Sequence, residues 1–71
     1  MFYCVQEIGT DKIERHETDY SKDELVVILA LASTSNPRHV FWFADGDINH
    51  MFEAGTTYTF RQNQDKNFAK D

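Results

Sequence analysis

The first third of the chain alternates between apolar and polar residues, and this pattern predicts two strands. Residues 2–8 alternate as a strand does when its two faces meet different environments. Residues 9–11, Gly-Thr-Asp, form a turn signal, after which residues 12–18 return as a second strand with Ile13 pointing inward. The many charges of this second segment are typical of an edge strand, where they discourage pairing with another sheet.

A helix is predicted over residues 22–33, because a capping box stands at its start. The Ser21 hydroxyl can accept a hydrogen bond from the backbone N–H of Glu24, and the Glu24 carboxylate can accept one from the N–H of Ser21. Pro37 follows the predicted end and cannot easily continue the helix. The body, residues 25–32, is rich in β-branched residues, so a buried strand is the alternative.

The run of residues 25–32 is apolar on every side of the predicted helix. It is far too short to cross a bilayer, which needs roughly 20 residues. An all-apolar helix must be buried on more than one side, and a chain of 71 residues has little left to cover the second side. This favours a homodimer or a partner protein, with Val27 and Leu31 as candidates for the outer side.

Two aromatic-rich segments, residues 40–44 and 47–52, flank Asp45-Gly46, which is typical of a two-residue hairpin turn. With Asp45-Gly46 as the loop, Phe43 faces Ile48 across the hairpin. One side then carries Phe41, Phe43, Ile48 and Phe52, and the other carries Val40, Trp42, Asn49 and Met51. Because both sides are rich in apolar residues, we expect at least part of the second side to be covered.

A second turn at residues 53–56, with Gly55 at positive φ, leads to a last strand over residues 57–62. The elements predict an α+β domain over residues 1–62: an antiparallel sheet of about four or five strands, in ββαβββ order, with the helix on one face. Residues 63–71 are polar and predict a flexible tail. The predicted core comprises Val5, Ile8, Leu25, Ile28, Leu29, Phe41, Phe43, Ile48, Phe52, Tyr58 and Phe60.

The evidence for a metal site in the sequence is weak. Asp45, Asp47 and Asn49 have the spacing of the first three ligands of an EF-hand loop. Such a loop needs glycine at its sixth position and glutamate at its twelfth, where this chain has His50 and Thr56. The histidines and the single cysteine lack the close spacing of a zinc site. We therefore predict a tight turn, with no metal and no other cofactor.

Composition and charge indicate a folded, acidic protein. Hydrophobic residues make up 41% of the chain and aromatic residues 14%, which argues against disorder. Twelve acidic and seven basic residues give a net charge of −5, which disfavours direct binding to nucleic acid. Most of the acidic residues lie between Glu7 and Glu24. This charge suits a basic protein partner, or imitation of the charge of a nucleic acid.

Catalytic chemistry is not indicated, and we predict that the protein is not an enzyme. The serines occupy cap or linker positions, the glycines are isolated, and Cys4 lies within a predicted strand, where a buried thiol is inert. A lone cysteine and the lack of a visible targeting segment predict a cytoplasmic protein that does not bind membranes.

The function we predict is a small acidic protein-binding module that modulates or inhibits a larger partner, which is basic or itself binds nucleic acid. Accessory proteins of phages and mobile elements often have this size and charge. The predicted partner-binding residues are Glu14, Glu17, Asp19, Trp42 and Asp47. The alternative is a homo-oligomeric structural or assembly protein that uses its apolar helix or aromatic sheet face as the self-interface. Trp42 is open to either a core or an anchor role.

Overall fold

The computed structural model describes residues 1–61, which form a five-stranded antiparallel sheet with a helix packed on one face. The elements are β1 (Phe2–Glu7), β2 (Ile13–Glu17), α1 (Lys22–Ser35), β3 (His39–Asp45), β4 (Ile48–Glu53) and β5 (Thr56–Arg61). This confirms the predicted α+β class and the ββαβββ order. The predicted tail, residues 63–71, and residue 62 of the predicted last strand lie outside the described residues.

The strands lie in the order β2-β1-β3-β4-β5, so β2 is an edge strand, as its charges predict. The prediction that Ile13 points inward is wrong, because this side chain is 57% exposed. Its strand pairs with β1 so that Ile13 stands opposite Gln6. Both residues lie on the face of the sheet away from the helix. Every residue of β2 is exposed, so this strand adds little to the core.

Helix α1 begins with the predicted capping box and runs two residues further than the sequence indicates, which excludes the alternative of a buried strand. The N–H of Ser21 donates to Glu24 Oε1 at 2.9 Å, and the N–H of Glu24 donates to Ser21 Oγ at 3.2 Å. At the other end, the backbone N–H and the side-chain amide of Asn36 both donate to the carbonyl of Ala32. Each end thus satisfies backbone groups that a helix leaves unpaired.

The hairpin of β3 and β4 turns at Gly46-Asp47 rather than at Asp45-Gly46, so the predicted register is wrong. Asp45 pairs with Ile48, and Phe43 pairs with His50. Gly46 has φ of 64°, which fits a turn with glycine at its first central position. The error moves each pairing by two residues and leaves the two faces unchanged.

The core lies between α1 and the face of the sheet made by β3 and β4. It consists of Leu25, Leu29, Phe41, Phe43 and Phe52, all of them in the predicted core. Val5 is half-buried and packs against this cluster. Ile28, Ile48 and Phe60 are also only half-buried.

Two residues of the predicted core are exposed: Ile8 is 48% accessible and Tyr58 is 45% accessible. Ile8 lies in the turn after β1, where its backbone N–H donates to the carbonyl of Arg38. The prediction for Tyr58 is wrong because it assigns the alternating residues of β5 to the wrong faces of the sheet. The turn joining β4 to β5 pairs Glu53 with Thr56, so Thr57 stands beside Phe52 and Tyr58 lies on the opposite face.

A buried serine, which the sequence reading missed, fixes the end of α1 to the turn between β4 and β5. Ser33 is fully buried, and its hydroxyl donates to the carbonyl of Ala30 at 2.9 Å. The same oxygen accepts a hydrogen bond from the N–H of Gly55 at 3.0 Å. A Cβ on Gly55 would stand 2.9 Å from Thr34 Oγ1, and φ there is +83°. Glycine therefore allows the turn to approach the helix closely.

Candidate binding surface

The sheet has one face under α1 and one face that no other element of residues 1–61 covers; we call the latter the open face. The alternation of side chains along the five strands assigns each residue to one face. The apolar residues of the open face are Phe2, Cys4, Ile13, Val40, Trp42, Ala44, Met51, Tyr58 and Phe60. The aromatic residues among them are spread over the sheet from β1 to β5.

One row of paired residues crosses the centre of the open face. Cys4 pairs with Trp42, Trp42 pairs with Met51, and Met51 pairs with Tyr58. Trp42 and Met51 are half-buried by their neighbours, whereas Tyr58 at the end of the row is exposed. Directly opposite residues in antiparallel strands are about 5 Å apart, so this row forms one continuous apolar strip.

A second part of the open face lies beside this strip, towards the turn between β3 and β4. Ala44 is exposed there and pairs with Asn49, which in turn pairs with Phe60. Phe2 is exposed on β1, and the guanidinium of Arg15 lies 3.8 Å from the centre of its ring. That distance is within the range of a cation–π contact. Ala44 is the residue where the open face has the least side-chain bulk.

Several acidic residues lie at the end of the sheet where β3 turns into β4, and we call this the acidic end. Its members are Glu17, Asp19, Asp23, Glu24, Asp45 and Asp47. Glu17 is the last residue of β2 and pairs with Phe2 at the start of β1. Since β1 and β3 are antiparallel, the end of β3 at Asp45 lies at this end too. Lys22 Nζ lies 3.6 Å from Asp45 Oδ2, which places the start of α1 beside it.

Of the predicted partner-binding residues, the structure brings Glu17, Asp19 and Asp47 to the acidic end, and it places Trp42 in the centre of the open face. Glu14 is separate: it pairs with Val5, on the helix side of the sheet. There its carboxylate lies 3.2 Å from His16 Nε2. The sequence-based prediction did not include Phe2, Ala44 or Tyr58 in this surface. For Tyr58, the length of the turn between β4 and β5 was sufficient to predict the face.

The capping box of α1 affects the protonation of Glu24. The backbone N–H of Ser21, and then the Ser21 hydroxyl, hold the pKa of the Glu24 carboxyl below its ordinary value of 4.5. Hydrogen bonds to a carboxylate favour its charged form. This carboxylate therefore keeps its charge at the acidic end to lower pH than a free glutamate does.

A cleft of about 290 Å³ lies on the helix side of the sheet, over β1 and β2, where α1 does not reach. Its lining includes Glu7, Lys12, Glu14 and His39. Nδ1 of His39 is shielded from solvent and has no hydrogen-bond partner within the part of the chain that the structure describes. The cleft is small and only partly enclosed, and charges of both signs line it.

Within residues 1–61, no group of three or more His, Cys, Asp or Glu side chains is placed to hold a metal ion. Cys4 is a free thiol on the open face, whereas His16, His39 and His50 lie on the helix side. The ring of His50 stacks on Phe43, with ring centres 4.8 Å apart. These side chains thus pack separately.

Comparisons of the chain with protein-family models, curated proteins and solved structures found no match. In the region that the structure describes, no helix has the length and apolar character needed to cross a membrane.

Proposed function

We propose that this chain is a small, non-catalytic protein-binding module, and that its open face binds a larger protein. The observation that supports this is the set of aromatic side chains on the open face, with Phe2 and Tyr58 exposed and Trp42 half-buried. Contiguous apolar surface exposed on a small domain commonly marks an interaction site. Trp and Tyr are also among the residues that most often dominate binding energy.

The open face is well ordered before any partner arrives. Its central residues are on β3 and β4, whose other side carries the buried Phe41, Phe43 and Phe52. Core packing therefore fixes the backbone under Trp42 and Met51. A surface on paired strands loses little conformational entropy on binding, so more of the contact energy appears as affinity.

The acidic end indicates what kind of partner this surface suits. Glu17, Asp19 and Asp47 lie close to the open face, and the whole chain has a net charge of −5. A partner with an apolar patch bordered by lysine or arginine complements this arrangement. A protein that normally binds nucleic acid offers such a border, and occupying it would inhibit or modulate that protein.

The first test changes the open face at Ala44, which is exposed and lies on β3, the middle strand of the sheet. Ala44→Arg adds a long side chain between Phe2 and Asn49, so it should block a partner without removing any core contact. Leu31→Arg introduces the same side chain on the outer side of α1, where Leu31 is 66% exposed. Binding to the protein captured from the native host should fall at least tenfold for Ala44→Arg and stay unchanged for Leu31→Arg.

The reverse result, in which Leu31→Arg abolishes binding and Ala44→Arg does not, would assign the function to the helix and refute the proposal. Circular dichroism on both variants confirms that each is folded.

Two matched charge substitutions test whether the acidic end contributes to binding. Glu17→Lys at the acidic end should slow association at low salt, because it weakens attraction to a basic partner. Glu14→Lys makes the same charge change on the helix side of the sheet. The difference between the two association rates should shrink as salt screens the exposed charges. Equal rates at low salt would show that the acidic end does not face the partner.

A second candidate function has support from α1. Val27 is 58% exposed and Leu31 66% exposed on the side of the helix away from the core. A homo-oligomeric structural protein could bury these residues between copies. Light scattering on Leu31→Arg tests this, because an oligomer built on the helix should dissociate in that variant.

A further inference from the structure

We propose that two copies of this chain associate edge to edge, through antiparallel pairing of β5 with β5 of the second copy. The contact is centred on Thr59, which stands opposite Thr59 of the second copy. The contact lies at the edge of the sheet, and it does not depend on a partner binding to the open face or to the exposed side of α1. The dimer would extend the sheet from five strands to ten.

The turn between β4 and β5 determines which backbone groups of β5 point away from β4. Glu53 and Thr56 flank a two-residue turn, so they form a hydrogen-bonded pair. Hydrogen-bonded and non-bonded pairs alternate along an antiparallel ladder. Tyr58 therefore bonds towards β4, while the N–H and C=O groups of Thr57, Thr59 and Arg61 point outwards. No strand within residues 1–61 pairs with them.

The two edges of the sheet differ in how they are protected. On β2, the N–H of Thr18 donates to the carbonyl of Met1, and the same alternation leaves Ile13, Arg15 and Glu17 with outward backbone groups. Arg15 and Glu17 form an ion pair of 3.2 Å along this edge. Charges of this kind protect a strand from pairing with another sheet.

Within residues 1–61, the edge of β5 lacks such protection. Its six residues pair continuously with β4, without a bulge. The strand contains no proline, and Arg61 at its end is its only charged residue. Thr57 and Thr59 are β-branched and exposed, which suits a pleated edge that another strand can join.

Charge favours a second copy at β5 over one at β2. The acidic residues Glu14 and Glu17 are on β2 itself, at the opposite edge of the sheet. Pairing through β2 would bring these like charges together. Pairing through β5 separates the two β2 strands by about nine strand spacings, on the order of 40 Å, well beyond the screening length at physiological salt.

The centre at Thr59 follows from what the pairing does with the aromatic residues. A twofold axis at Thr59 places Tyr58 of each copy opposite Phe60 of the other, and Thr57 opposite Arg61. Tyr58 and Phe60 occupy non-hydrogen-bonded positions in this pairing, where opposed side chains approach most closely. Cross-strand aromatic pairs stabilise a sheet. The two open faces also become one continuous surface.

The first part of the test measures mass in solution by light scattering from millimolar to micromolar concentration. The wild-type chain should reach about twice its 8.3 kDa mass at the upper end. Thr59→Pro removes an outward N–H that β4 does not use, so it should leave a folded chain of single mass. Arg15→Pro makes the same change at an outward position in the middle of β2 and should keep the dimer. A wild-type monomer throughout, or a dimer that persists in Thr59→Pro, would overturn the proposal.

The second part tests the register without relying on proline variants. In a Cys4→Ala background, Thr59→Cys should form a disulfide between copies on oxidation, because opposed residues in a bonded pair lie about 5.5 Å apart. Thr57→Cys is the control, since the two Thr57 residues stand four positions apart along the pairing. Cross-linking of Thr59→Cys alone supports the proposal. Equal cross-linking of both variants, or none in either, contradicts it.

Discussion

The two faces of the sheet carry similar residues and have different roles. The helix side places Phe41, Phe43 and Phe52 under α1, where they are buried. The open face carries Trp42 and Tyr58 on the neighbouring positions of the same sheet, and Tyr58 is 45% exposed. Hydrophobicity alone therefore does not separate core from surface in this chain. What separates them is which side of each strand α1 covers.

The largest difference between the two faces should appear when an aromatic residue is truncated on each. Phe52→Ala removes a side chain with no exposed surface and should cost about 3–5 kcal/mol, enough to unfold much of a small domain. Tyr58→Ala on the open face should cost less than about 1 kcal/mol. Urea denaturation of both variants measures the contrast. Similar losses would mean that the open face is part of the core.

The next effect concerns how the helix is held on its side of the sheet. Ser33→Ala leaves the N–H of Gly55 without its acceptor and removes a buried hydroxyl. We expect a loss of about 1–2 kcal/mol in the free energy of unfolding. Thr34→Ala, one residue further along, serves as a control, because its hydroxyl is exposed and donates to the carbonyl of Ala30 within the same helix. A loss no larger than that of the control would show that the Ser33 contact is unimportant.

A substitution in the Ala54-Gly55 turn, between β4 and β5, should increase the free energy of unfolding by a smaller amount. Ala54 has φ of 52°, a left-handed conformation that costs energy for a residue with a Cβ. Asparagine tolerates this conformation better, so Ala54→Asn should stabilise the protein by about 0.5–1 kcal/mol. A rise in melting temperature checks this. A fall would indicate that the turn has a different geometry.

The smallest effect concerns pH and the start of α1. The pKa of Glu24 is lowered in the folded chain, first by the N–H and then by the hydroxyl of Ser21. A lowered pKa means that the carboxylate stabilises the fold above its ordinary value of 4.5, and that this stability is lost as pH falls through the lowered pKa. Glu24→Gln should therefore reduce stability at neutral pH and flatten its decline in acid. An unchanged acid profile would contradict this.

Local signals in the sequence predicted the elements well, and the faces only in part. The capping box at Ser21 and Glu24 involves residues three apart, so sequence alone revealed it. The faces of β3 and β4 were also predicted, because moving the turn by one residue shifts the pairing by two. The prediction of which β5 residues lie on each face was wrong, because this depends on the length of the turn at Ala54-Gly55.

The candidate surface could be predicted less fully, for a physical reason. Glu17 and Asp47 are distant in sequence and come to the same end of the sheet only through the order of the strands. That order, with β1 between β2 and β3, is a long-range property that no local pattern in this chain encodes. From the sequence, Trp42 could be either a core residue or a binding anchor. Its position on the face of the sheet away from α1 favours the anchor role.

The central claim is that a partner contacts the open face rather than the helix. A photo-activatable side chain placed at Ala44, and separately at Leu31, tests this directly in the native host, because both positions are exposed and on opposite sides of the molecule. If a partner contacts the open face, cross-links to a larger protein should form from position 44 and none from position 31. Cross-links from position 31 alone would contradict it and assign binding to the helix.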